Sequence, residues 1–157
     1  MTASVTTNGT FTAVGTFTPA GGVGADLAVT TTDNSVSAEI TAEMRATGGE
    51  ISITVTSTND STKTDIVTYT VAKVYTINLA DLTQDGDTVT GTVTTNNTTF
   101  SVAATLNGTA IDDSKITKTD SSVSVDVTGY TTNDVVSITV TCDTDNTKSA
   151  TKTITLA

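Results

Sequence analysis

Along most of this chain, apolar and polar residues alternate one by one. Ile51, Ile53 and Val55 fall on one side of such an alternation, with Ser52, Thr54 and Thr56 on the other. Val136, Ile138 and Val140 repeat it, with Ser137, Thr139 and Thr141 between them. A period of two sends successive side chains to opposite faces, which predicts antiparallel strands with one face on a core and one in water. In the second half it predicts strands near 75–79, 88–95, 99–106, 115–119, 122–128, 135–142 and 150–156. Turn pairs separate most of them: Asp85-Gly86, Asn96-Asn97, Asn107-Gly108, Asp112-Asp113 and Asp145-Asn146. Short strands recurring about every ten residues predict a sandwich of immunoglobulin type. The one helix-compatible stretch is Ala42–Ala46, a turn or two at most.

The pattern also repeats at long range. Ile51–Ala72 lies on Val136–Ala157 without a gap, at an offset of 85, and shares Asp60/Asp145, Thr62/Thr147 and Lys63/Lys148 in the turn. Upstream, "NSVSAEIT" (34–41) echoes "SSVSVDVT" (121–128) at an offset of 87. Two copies of one module follow, over 1–72 and 73–157, joined by "VAKVYT" (71–76) and expected to be nearly rigid neighbours. The fold class predicted is therefore all-β, two tandem immunoglobulin-like antiparallel β-sandwiches. The first copy reads as shortened. Gly15 to Val36 is 21 positions and Gly91 to Val123 is 32, so one strand is expected to be missing between Gly15 and Val36.

Composition supports strands and narrows the chemistry. Thr supplies 42 of the 157 residues, and its branched Cβ suits a pleated sheet better than a helix. The net charge is −10, spread over both halves, and the few bases are scattered. No basic stripe could track a phosphate backbone, so nucleic acid is not expected as a partner. No apolar run is long enough to span a bilayer, and the opening residues lack the basic and apolar regions of a secretory leader. There is no His, which removes imidazole-based nucleophilic mechanisms and the commonest general base. No catalytic residues, cofactor or small-molecule substrate are expected. Cys142 alternates with Val136, Ile138 and Val140 and reads as a buried thiol, with Ser57 at the matching place in the first copy. The carboxylates near 143–146 admit a second reading. Asp143, Asp145 and Asn146 are calcium candidates, but no further ligand follows at the spacing of a calcium loop, and a structural turn explains them as well. Flat Thr-x-Thr arrays also suit ice-binding surfaces, but these halves lack a fixed solenoid period.

The closing hairpins "GGEISITVTSTNDSTKTDIVTYTV" and "NDVVSITVTCDTDNTKSATKTITL" resemble the end of bacterial immunoglobulin-like modules of group 2. The departures are a missing middle-strand Trp and Asn133-Asp134 where glycine is usual. The resemblance implies spacers, adhesion modules or decorations, on bacterial surface proteins or tailed-phage particles. With a Met start and no leader or anchor, the expectation is a decoration protein of a phage capsid or tail, located on the virion. Its expected partner is the major capsid protein or another virion protein. The alternative is a bacterial cell-surface adhesion or spacer module, with calcium as a stabiliser. The first copy is expected to dock, through Gly21, Gly22, Val23, Leu27 and Val29, a glycine-rich and then apolar segment that could supply or accept an edge strand.

Overall fold

The strands form where the alternation places them, and their buried positions are the apolar ones. A computed structural model describes residues 1–157 as two compact units, Met1–Val74 and Tyr75–Ala157. The boundary read from sequence, after Ala72, compares with one after Val74.

The second unit holds β8 (Ile77–Leu79), β9 (Thr83–Asp85), β10 (Thr88–Thr95), β11 (Phe100–Leu106), β12 (Thr109–Ala110), β13 (Ile116–Lys118), β14 (Ser122–Asp126), β15 (Val135–Cys142) and β16 (Ser149–Thr155). One sheet runs β13-β14-β10-β8, with β9 also on β10, and the other runs β12-β11-β15-β16. All pairs are antiparallel. Val89, Val93, Val123 and Val125 of the first sheet meet Phe100, Ala104, Val136, Ile138 and Val140 of the second in one core. Leu79 and Leu82, from the first strand and the turn after it, complete that core. Gly91 makes room for them: a Cβ there would lie 2.7 Å from Leu82 Cδ2 and 2.8 Å from Leu79 Cδ1. Relative to the sequence reading, β9 and β12 are additions. Both are too short to show a period.

The first unit holds β1 (Thr2–Ser4), β2 (Phe11–Pro19), β3 (Ala25–Leu27), β4 (Val29–Thr32), β5 (Ser35–Ala38), α1 (Ala42–Thr47), β6 (Gly49–Ser57) and β7 (Thr64–Val71). Its sheets run β1-β5-β4 and β3-β2-β6-β7. The helix begins where Thr41 Oγ1 accepts the Met44 N–H at 3.3 Å, and it ends at Gly48. Val36, Ala38, Met44, Ile51, Ile53 and Val71 form the buried core.

Register shows how the two units correspond. Phe11 pairs with Ser57 as Phe100 pairs with Cys142, and Gly15 pairs with Ile53 as Ala104 pairs with Ile138. Ala3 pairs with Val36 as Gly91 pairs with Val123. The partner of Gly15 is thus Ala104, not Gly91, and from these anchors to Val36 or Val123 the two routes differ little in length. No strand is missing between Gly15 and Val36. β1 corresponds to β10, so the places of β8 and β9 fall ahead of residue 1. The turn-rich stretch Thr6–Thr10 hid the correspondence in the sequence, because the one-residue difference between Val5/Val93 and Phe11/Phe100 breaks the alignment there.

Candidate functional site

Within residues 1–157, no strand pairs with the side of β1 that faces away from β5. The edge strands β1 and β7 of the first unit flank a cleft of about 530 Å³ lined by Ser4, Val5, Thr6, Phe11, Val55 and Val67, among others. The same positions are closed in the second unit. Val93, Phe100 and Val140 are buried there, whereas their counterparts Val5, Phe11 and Val55 are only half-buried. Tyr69 tells the same story: it alternates with Val67 and Val71 on the inward side of β7, yet it is 46% exposed. Its counterpart Ile154 packs against the second core.

The backbone at this edge is available. Val5 donates its N–H to Asn34 O at 2.8 Å, as Val93 donates to Ser121 O. Alternation along a strand then turns the N–H and C=O of Ser4 and Thr6 away from β5 and toward the cleft. In the second unit the counterpart of Ser4, Thr92, accepts the Ala80 N–H at 2.9 Å just beyond β8.

The outer face of the β7 sheet carries two exposed apolar side chains in one row. Val14 pairs with Thr54 and Thr54 with Ile66, so Val14 and Ile66 flank a threonine. Val23 stands free at 89% exposure beside the turn at Gly21, whose φ of +72° suits glycine. Gly22 donates its N–H to Pro19 O at 2.9 Å. The Gly21–Val29 segment is divided between the two sheets: Leu27 lies on β3 and Val29 opens β4, and both pack against the core. Of the five residues singled out for docking, Val23 is the apolar one left to solvent.

The paired turn carboxylates have local partners. Asp60 accepts from the Thr62 N–H at 3.0 Å and hydroxyl at 2.7 Å. Asp145 accepts from the Thr147 N–H at 3.1 Å and hydroxyl at 2.6 Å. These bonds, the hydroxyl first, hold both carboxyls below their usual range. The shared Asp-x-Thr is therefore a turn device, used identically in both units. Asp143, Asp145 and Asn146 lie on that turn, and no group of three or more carboxylate, thiol or imidazole side chains converges anywhere in the chain. Cys142 is a buried free thiol at the end of β15, opposite Phe100.

The Asn133-Asp134 departure also has a structural reason. Asn133 adopts φ +74°, matching Gly48 at +68°, and Asn tolerates that region better than most residues. Asp134 accepts from the Thr131 N–H and hydroxyl and from Asn107 Nδ2, at 2.8, 3.0 and 2.7 Å. Asn107 Oδ1 in turn accepts the Val135 N–H at 2.9 Å.

No family model matches the chain, and no curated protein matches it. Among solved structures, a chain described as "Biofilm associated protein - BSP domain" aligns over 99% of this chain and 27% of its own length, at 16% identity and a TM-score of 0.31. The chain thus spans about a quarter of that structure's length, and a likeness of this degree carries no argument about function.

Proposed function

We propose that this chain is a non-enzymatic structural protein that attaches to a larger assembly through its first unit. One observation carries the reading: exposed large apolar side chains concentrate there. Val14, Val23, Ile66, Tyr69 and Val74 all belong to residues 1–74, against Val135 alone in the second unit. Scattered exposed apolar residues are ordinary, but five against one between two sister modules favours the first as the one that meets a partner. The excess of acid over base suits a protein that must stay dispersed at high local copy number. The resemblance to bacterial immunoglobulin-like modules puts two assemblies in view, a tailed-phage particle and a bacterial cell surface. We put the virion first, as a decoration of its capsid or tail.

The test is co-sedimentation of the purified chain with tailed-phage particles, and in parallel with bacterial envelopes. Binding to particles that is lost in Val23→Asp or Ile66→Asp and kept in Val135→Asp supports the reading. Binding to envelopes instead would move the protein to the cell surface, and equal loss from Val135→Asp would place attachment on the other unit.

A further inference from the structure

Asn is followed by Gly at two places, Asn8-Gly9 and Asn107-Gly108, and the fold treats the two pairs differently. Asn107-Gly108 is the two-residue turn between β11 and β12, with Leu106 paired to Thr109 across it and φ of +49° and +84°. Its side-chain amide is fixed at both atoms: Nδ2 donates to Asp134 Oδ1 at 2.7 Å, and Oδ1 accepts the Val135 N–H at 2.9 Å. Asn8-Gly9 lies in the bend between β1 and β2, outside both strands, with Asn8 exposed. The Gly9 N–H belongs to no ladder and donates only to Thr7 Oγ1, across a long 3.3 Å. Close approach explains the glycine. Its φ is not positive, but a Cβ there would lie 2.4 Å from Asn59 Nδ2. The residue that packing favours at position 9 also leaves its own nitrogen unhindered toward the Asn8 side chain.

We propose that Asn8 is a site of spontaneous covalent modification, by cyclisation onto the Gly9 nitrogen, and that the fold spares Asn107. The Gly9 amide gives up its proton to solvent base, and its nitrogen attacks Asn8 Cγ. The new N–Cγ bond replaces the bond from Cγ to the side-chain nitrogen, which takes up a proton and leaves as ammonia. Water then opens the five-membered imide. Addition at Cγ leaves aspartate at position 8; addition at the main-chain carbonyl leaves isoaspartate, whose backbone runs through Cγ and is longer by one methylene. The balance is amide and water to carboxylic acid and ammonia, with no oxidant or reductant. Either product adds one negative charge to the net −10. At Asn107 the same ring closure must first take the amide off both Asp134 and the Val135 N–H, and it must do so inside a hairpin turn. This inference is independent of where the chain attaches.

The test is incubation of the full chain in warm, mildly alkaline buffer, folded and in urea. Proteolytic mapping by mass spectrometry follows each Asn-Gly pair, and enzymatic methylation scores isoaspartate. In the folded chain Asn8 should convert about tenfold or more faster than Asn107, because only Asn107 must lose two hydrogen bonds first. Both acids should appear at position 8, with an acidic shift of the chain on isoelectric focusing. In urea the two pairs should convert at similar rates. Gly9→Ala should slow conversion of Asn8 severalfold and leave Asn107 as it was. Asp134→Ala should speed conversion of Asn107 about fivefold and leave Asn8 as it was. The comparison between folded chain and urea needs neither variant to fold. Equal rates in the folded chain, faster conversion of Asn107, or a preference for Asn8 of the same size in urea would each overturn the proposal.

Discussion

Single residues set the turns on which both units depend. Asp60, Asp112, Asp126 and Asp145 each accept bonds from a residue two positions on, and Asp134 accepts chiefly from the Thr131 backbone. All five carboxyls are held below their usual range in the folded chain. A depressed folded pKa contributes stability that is present above the unfolded value and is lost as pH falls through the folded one. Urea denaturation should thus show stability level through neutral pH and declining once pH drops into and below the ordinary carboxylate range. Asp60→Asn together with Asp145→Asn should make that decline shallower. Backbone geometry gives a second residue-scale prediction. A Cβ on Gly49 would lie 2.3 Å from Thr18 O and 2.9 Å from Pro19 Cα, at φ +149°. Gly49→Ala should cost about 1–3 kcal/mol, whereas Asn133→Gly should change stability by no more than about 0.5 kcal/mol. The turn at Asp-x-Thr-Lys was legible in the sequence because it repeats. That Asn133 could serve in place of glycine was not, since only a dihedral angle reveals it.

Among the elements, the strands follow from the period of two, and β10, β11, β14, β15 and β16 lie within a few residues of their expected limits. The alternation works because each of these strands has one wet face. Val36 and Val123, the matched centres of β5 and β14, are both fully buried. A missing strand was expected between Gly15 and Val36 because a glycine was matched to a glycine. Gly15 and Gly91 occupy different strands, and cross-strand pairing, which a sequence does not display, is what separates them. The cleft was invisible for the same reason: Val5, Phe11 and Val55 look like core residues in the sequence, and only the structure shows them half-buried. Each core is separately testable. Ile53→Ala and Ile138→Ala, at matched buried sites, should each cost about 2–5 kcal/mol. Each loss should appear in its own unit's transition, read by amide exchange of β6 or β15.

At the scale of the whole molecule, the two units are unequal. The first core contains six buried hydrophobic residues and the second fourteen, so the first should unfold at lower denaturant. A ligand that binds only the folded first unit should raise that transition and leave the other in place. Most of the exposed large apolar side chains belong to the first unit. The proposed attachment through the first unit accounts for that difference. The most direct test is hydrogen exchange of the full chain, free and mixed with tailed-phage particles. Attachment through the first unit predicts new protection within residues 1–74, with the second unit unchanged. Protection that appears instead on the second unit, or none on the first, would contradict the account.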